Sequence, residues 1–379
     1  MEKKSSRLIR LVADQRVRLG LYLLLLLPLL LHREITPTNE LKYLQIADEA
    51  LRDGHFWCLY LDGAIYADKP PLYFWIIMIF RRLLGFHCIP LLELFSLLPA
   101  FGILAIFDRW CGEGLRLRWR VLAESALLTT AYFLGGAVVL RMDMLMVFFI
   151  TLAMWLFWNM DQGDRRPALQ WAFALCVFMA IFSKGPVGFL FPLAGIFVWL
   201  GREDRLRDFG KAWGWRTWLV LAVLCGLWWA GAWLEGGGAY LDNLLVHQTV
   251  DRAVNAFHHN RPWYYYLYTI WYAMGPWALL TIPLSTWGSI KKIGRTALVR
   301  FFLDISAIFF IMLSLFSSKL QIYLLPLFGF VNYAAFLILQ AADTPQRRWP
   351  RTVRHIGWFV TAAMLALCVA AGFFKPDIF

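Results

Sequence analysis

Residues 71–86 read PLYFWIIMIFRRLLGF. The run is apolar enough to tempt a membrane span, yet it is short of the roughly 20 residues a spanning helix needs. It also carries Arg81 and Arg82. Whether it crosses fixes the side of every later loop. If it does not cross, and the N-terminus is cytoplasmic, 25 of the 37 Lys and Arg fall in cytoplasmic segments and 12 on the opposite face. If it crosses, the division becomes 14 inside and 23 outside. Cytoplasmic loops carry the excess of Lys and Arg, so 71–86 is read as an amphipathic helix lying along the outer interface.

Composition agrees with a membrane setting. The 379 residues are 60% hydrophobic and 16% charged, with a mean hydropathy of +0.57. A soluble domain is nearer a quarter charged, and a disordered chain lacks this much apolar surface. The net charge of +12 fits basic cytoplasmic loops better than nucleic-acid binding. The 20 Trp suit membrane interfaces and sugar faces, where an apolar plane lies beside polar groups. The six Cys are scattered without a C-x-x-C pair, which argues against a zinc ribbon or a disulfide scaffold.

Eleven spans are expected, at 17–32, 89–107, 121–140, 144–160, 168–183, 186–201, 217–234, 265–283, 298–317, 320–341 and 355–374. The fold class is thus an all-α polytopic membrane protein, with outer-face amphipathic helices. The first span follows six basic residues and lacks a small-residue cleavage site, as a signal anchor does. Residues 1–379 are read as a single membrane domain, with a first outer loop at 33–88 and a second at 235–264. No soluble C-terminal domain is expected after the last span.

This topology collects the unusual residues on the outer face. The first loop has a helical face over 40–53 (Leu41, Leu44, Ile46, Ala47, Ala50, Leu51), with acids on the other side. Asp68-Lys69-Pro70-Pro71 then opens the interfacial helix. By pattern alone this is also what a capped, solvated loop looks like. Asp143 follows Arg141 at a span end, where charges are commonly only anchors. Lys184 and Lys319 each sit between two spans, where a cation needs an anionic partner or a lipid phosphate. Two such lysines on one face suit an anionic lipid headgroup, although lysines also snorkel. His247 and Asp251 are four apart, a spacing that serves a divalent metal or an ion pair equally well. No HExxH, DxD, Walker A or GxGxxG pattern is present. Glu93, Glu124 and Asp304 fall inside expected spans, and intramembrane carboxylates keep a transporter or lipid flippase in view.

Together these segments carry a resemblance. Asn39-Glu40-Leu41-Lys42-Tyr43 and Asp68-Lys69-Pro70-Pro71-Leu72-Tyr73-Phe74-Trp75 resemble the first outer loop of the aminoarabinose-transferase-like glycosyltransferases, which have the GT-C membrane fold. Arg141-Met142-Asp143, Ser183-Lys184-Gly185-Pro186, the His247-to-Tyr266 loop and Ser318-Lys319 through Pro326 resemble the later landmarks in the same order. The resemblance implies inverting transfer of a sugar from undecaprenyl phosphate to a glycolipid, lipid A or another envelope acceptor, at the outer face of the bacterial inner membrane. It implies that Lys69, Arg252 and Tyr323 hold the donor phosphate, and that Asp68 and His247 bind a divalent metal such as Zn2+. The family's loop motif begins Asp-Glu, and the Asp is its proposed acceptor activator. Here that position is Asn39, whose amide takes no proton. Glu40 is therefore expected to orient or deprotonate the acceptor, with Asn39 supplying a hydrogen bond and Asp143 the alternative base. A protein O-mannosyltransferase-like enzyme and an inactive binding member are close variants. A transporter would instead show discontinuous helices in paired halves, and the sequence has no such repeat.

Overall fold

The computed structural model describes residues 11–245 and 260–374. Several of its helices end at Gly or clustered charge, as at Gly54, Gly85 and Gly185. α1 (Gln15–His32) is followed by a π-turn (Pro37–Leu41) and α2 (Lys42–Asp53). A two-stranded hairpin (β1, Tyr60–Leu61; β2, Ala64–Ile65) leads to α3 (Leu72–Leu84). Next come α4 (Ile89–Cys111), α5 (Leu117–Leu128), α6 (Ala131–Val138), α7 (Asp143–Asp161), α8 (Pro167–Lys184), α9 (Val187–Arg202) and α10 (Trp215–Asp242). Then follow α11 (Tyr265–Ala273), α12 (Ala278–Lys291), α13 (Ala297–Leu315), α14 (Leu325–Ala342) and α15 (Trp349–Phe374). Helices dominate as expected.

Every segment expected to span is largely helical. Among the described residues eight helices are long and apolar enough to cross, or nine if the α5–α6 pair, bent by 67°, is one span, against the eleven expected. α9 has only 16 residues. The stretch 265–283 is interrupted at Gly275-Pro276, between α11 and α12. The two interruptions meet. Ala131 N–H donates to the Gly275 carbonyl at 2.8 Å, and Trp277 Nε1 donates to Thr129 Oγ1 at 2.9 Å.

Residues 71–86 form the 13-residue helix α3. At 1.5 Å per residue it reaches about 20 Å, short of a hydrocarbon core of roughly 30 Å. α2 and α3 share one apolar core, made by Tyr43, Leu44, Ile46 and Ala47 of the first with Tyr73, Phe74, Ile77 and Met78 of the second. Each helix stops at a glycine in the left-handed region, Gly54 (φ 77°) and Gly85 (φ 79°), a conformation that a Cβ disfavours. Asp48 of α2 bridges Arg81 Nε at 3.1 Å and His87 Nε2 at 2.9 Å. The first outer loop is fastened to α10 by the Glu235 carboxylate, which accepts the Phe56, Trp57 and Cys58 N–H groups at 3.0, 2.9 and 3.0 Å.

Helix direction sorts the charges by end. The start of α7 (Asp143), the end of α8 (Lys184) and the turn before α14 lie at the end that also holds the first outer loop. The far ends of α7 and α9 hold Asp161 and Arg202, paired with Arg205 and Asp304 respectively. Beside α1, away from that loop, stands a group of Arg18, Asp108, Glu124 and Arg120, with Arg18 2.9 Å from Asp108 and 2.8 Å from Glu124.

Candidate functional site

At the end of the bundle that holds the loop 33–88 a cavity of ≈ 680 Å³ opens between that loop and α8, α9 and α10. Its polar lining includes Asp68, Lys69, Lys184, Ser318 and Tyr323, while Ile181, Leu190, Leu221, Trp228 and Phe316 form apolar wall. Apolar walls below a polar mouth suit an amphiphile.

The cations at the mouth are oriented by carboxylates. Asp143 is wholly buried; it accepts Arg141 Nε at 2.9 Å and is ion-paired with Lys184. The Asp143 charge holds the Arg141 guanidinium above its ordinary pKa. Lys184 Nζ lies 4.7 Å from the Tyr323 ring centroid, a cation–π distance. Lys69 Nζ is 2.9 Å from Asp68 Oδ2, and Tyr66 reaches the same oxygen at 3.4 Å. Lys69, Lys184, Tyr323 and Asp68 thus line one cavity. Asp143 stands directly behind them.

Other expected site residues lie elsewhere. Glu40 does not line the cavity. It is 1% exposed, and its carboxylate accepts Arg33 at 2.7 and 2.6 Å, Thr36 N–H at 2.7 Å, Thr36 Oγ1 at 2.9 Å and Leu140 N–H at 2.7 Å. Burial alone would raise its pKa, but Arg33 and the backbone donors outweigh that and bring it below the usual value. A carboxylate so committed is a poor proton acceptor, which corrects the expectation that Glu40 deprotonates the acceptor. Asn39 beside it is exposed. Lys319 does not line the cavity either. Its ammonium donates to the Arg261 carbonyl at 3.0 Å and to the Phe316 carbonyl, tying the strand-like contact between Asn260 and Ser318. Burial pushes its pKa down. Arg252 and His247, expected at the donor phosphate and the metal, lie outside the described residues, as do Asp251, His258 and His259.

Taken singly, Arg33 and Ser96 carry no signal in the sequence. Arg33 joins Glu40 to Glu93 across the first loop and α4. Ser96 Oγ donates to the Arg141 carbonyl at 2.9 Å and accepts Arg141 N–H at 3.2 Å. With Glu40 holding Leu140, the backbone leading into Asp143 is pinned at two successive residues. Tyr43 was also missed; burial pushes its phenol up to about 12, against the pull of Arg141, so it is a neutral hydrogen-bonding group beside the cluster. The sequence signal for the Arg33–Glu40 pair is a carboxylate seven residues after the Arg that follows α1.

Among the described residues no three His, Cys, Asp or Glu side chains gather to hold a metal. Asp68 is the one expected ligand there, and Lys69 occupies one of its oxygens.

The intramembrane carboxylates are structural. Glu93 pairs with Arg33, Glu124 with Arg18 and Asp304 with Arg202, which removes the observation that favoured an ion path.

A polytopic helical bundle with a cation-mouthed cavity at one end is the architecture of the GT-C membrane proteins. No family model matches the chain. The crystal structure of ArnT from Cupriavidus metallidurans bound to undecaprenyl phosphate superposes with a TM-score of 0.75 at 18% identity, covering 95% of this chain and 64% of that one. In sequence the chain is 28% identical over 320 residues to undecaprenyl phosphate-alpha-4-amino-4-deoxy-L-arabinose arabinosyl transferase 1 of Pseudomonas fluorescens, over 79% of this chain and 53% of the relative. It is 26% identical over 385 residues to the corresponding transferase of Pectobacterium carotovorum, over 96% of this chain and 66% of that one. An uncharacterized protein of Aquifex aeolicus is 24% identical over 92% of this chain and 69% of its own length. The fold is that of ArnT, and the chain is ArnT-like in sequence over most of its length. It spans between about half and two thirds of the length of these curated relatives.

Proposed function

We propose that the protein is a glycosyltransferase that moves a sugar from undecaprenyl phosphate to a lipid acceptor. The observation that carries this reading is the cavity itself, with apolar walls and a mouth furnished by Lys69, Lys184 and Tyr323. Its amphiphilic lining matches a polyprenyl chain ending in phosphate. In the reaction the acceptor oxygen bonds to the anomeric carbon as the bond from that carbon to the phosphate oxygen breaks. The electron pair leaves on the phosphate. Lys69 and Lys184 stabilise that charge with charge-assisted hydrogen bonds, and the Tyr323 hydroxyl adds a donor. Asp143 keeps Arg141 and Lys184 charged and aimed. Of the carboxylates Glu40, Asp143 and Asp68, Asp68 is the one that lines the cavity, so we assign it the acceptor proton. Asp68 and His247 are the residues that would instead hold a divalent ion, which would add positive charge at the leaving phosphate and leave the proton to another acceptor; no step above depends on it.

The cavity end is assigned to the outer face of the bacterial inner membrane, with the N-terminus cytoplasmic. Supporting this, the basic loop at Arg165 and Arg166 lies at the opposite end of α7 and α8 from Asp143 and Lys184. An impermeant thiol reagent should label Cys88 in intact cells, and a cysteine placed at Gln162 only after the cells are opened.

The direct test incubates purified protein with undecaprenyl phosphate carrying a labelled sugar and a membrane-lipid extract. Label appearing in a new glycolipid is expected. Intact donor after prolonged incubation, with the donor shown to be bound, would refute transfer.

A further inference from the structure

Between α6, which ends at Val138, and α7, which begins at Asp143, the chain is not helical. Val139 is extended, at φ −103° and ψ 155°. Backbone groups there have no helical partners, and in an apolar bundle each needs a replacement. Three of them find it in side chains of other elements. Leu140 N–H donates to the Glu40 carboxylate at 2.7 Å. Arg141 N–H donates to Ser96 Oγ at 3.2 Å, and the Arg141 carbonyl accepts from that hydroxyl at 2.9 Å.

Both anchors trace to one face of α4. Glu93 and Ser96 are three residues apart on it, and residues so spaced are neighbours on a helix surface. Glu93 pairs with Arg33, and Arg33 pairs with Glu40. Glu40 and Ser96 are both buried. A buried Arg between two carboxylates is a costly way merely to satisfy one N–H. The seat of residues 140–141 is thus fixed by a helix that does not line the cavity.

The site follows directly on that seat. Asp143 is wholly buried and ion-paired with Lys184, so a shift of the 140–141 backbone moves the carboxylate and the ammonium it holds. Lys184 lines the cavity beside Tyr323. The effect of a charge aimed at a reacting group is sensitive to displacements of about an ångström.

We propose that Ser96 and Glu40 are positioning residues for the leaving phosphate. Through the Leu140–Arg141 backbone they set the place of Asp143, and with it that of the Lys184 ammonium. Arg33 and Glu93 hold Glu40 for this task. The inference rests on the glycosyltransferase reading above and extends its machinery to α4.

The full chain in phosphatidylcholine nanodiscs is titrated with undecaprenyl phosphate and with undecaprenol, the same chain without the phosphate. The ratio of the two affinities reads what the cations contribute, apart from the apolar walls. Ser96→Ala should bind undecaprenyl phosphate at least roughly fivefold more weakly and undecaprenol within about twofold of the unaltered protein. Glu40→Gln, which removes the charge that aligns Arg33, should show the same selective loss. Lys184→Met should weaken undecaprenyl phosphate at least roughly tenfold. Adding Ser96→Ala to it should cost less than about twofold more, because both changes act through one ammonium. An unchanged affinity ratio in both Ser96→Ala and Glu40→Gln overturns the inference and leaves the donor reading intact. Full additivity of Ser96→Ala with Lys184→Met overturns it as well. So does equal weakening of the two probes, which would make the network plain scaffold. An unaltered protein that binds undecaprenyl phosphate no better than undecaprenol refutes the donor reading itself, and the inference falls with it.

Discussion

Two buried charge clusters stand at opposite ends of the bundle. Beside α1 Arg18 and Arg120 meet Asp108 and Glu124, two cations against two anions, and none of the four lines the cavity. At the cavity end Arg141, Lys184 and Lys69 meet Asp143 and Asp68, three cations against two anions among the described residues. The first cluster is balanced. The second, counted over the described residues, holds one more cation than anion. Burial of charge is common to both, so burial by itself does not mark a site. A surplus of one sign next to open volume does.

The largest expected effects would break this comparison. Removing one partner of a buried pair costs about 3–5 kcal/mol, so Asp143→Ala and Glu124→Ala should both lower the unfolding midpoint strongly. They should part in function. Asp143→Ala releases Lys184 and Arg141, and turnover per folded molecule should drop at least about a hundredfold, a contribution of the size that positioned charge makes. Glu124→Ala should leave turnover per folded molecule within about twofold. Equal loss of turnover in the two would erase the distinction between the ends.

A smaller effect is expected at the donor. Lys69→Ala removes a charge-assisted contact of about 1.5–3 kcal/mol, which is at least roughly a tenfold loss of undecaprenyl phosphate affinity. Arg120→Ala beside α1 should leave that affinity unchanged. Titration with undecaprenyl phosphate reads both.

Glu40 sharpens the comparison through pH. Its folded pKa lies below its ordinary value of 4.5, so its stabilising contribution is full above that value. It is lost as pH falls through the lower folded pKa. Acid unfolding should therefore be less steep in Glu40→Gln, which is also less stable at neutral pH. An acid-unfolding curve superposable on that of the unaltered protein would show that Glu40 is not held as an anion. The smallest effect belongs to Ser96→Ala, about 1 kcal/mol for the lost bonds to the Arg141 backbone, measured by thermal unfolding.

Much of this architecture is written in apolar runs and loop charge. The run at 71–86 was legible as a non-spanning helix because Arg81 and Arg82 and the loop tally pointed the same way. The bend after Leu128 was not legible, since Thr129 and Thr130 are ordinary inside a membrane helix and turn it only together with a partner 145 or so residues away. At the site, Lys69, Lys184 and Tyr323 were legible as cations and a phenol on one face. The role of Glu40 was not. Its acidity looked available in sequence, and only three-dimensional proximity to Arg33 and the Leu140 N–H shows that its lone pairs are spent. Lys319 misled for the same reason, because carbonyl groups that satisfy an ammonium leave no trace in side-chain identity.

The joined interruptions of α5–α6 and α11–α12 carry an evolutionary consequence. Each break frees backbone groups that hydrocarbon cannot solvate, at several kcal/mol apiece, and each supplies a partner for the other through Ala131 and Gly275. A substitution that straightened one helix would strand its counterpart. The pair should therefore be inherited or lost as a unit, and a lineage that dispensed with one bend would have to reshape both helix pairs at once.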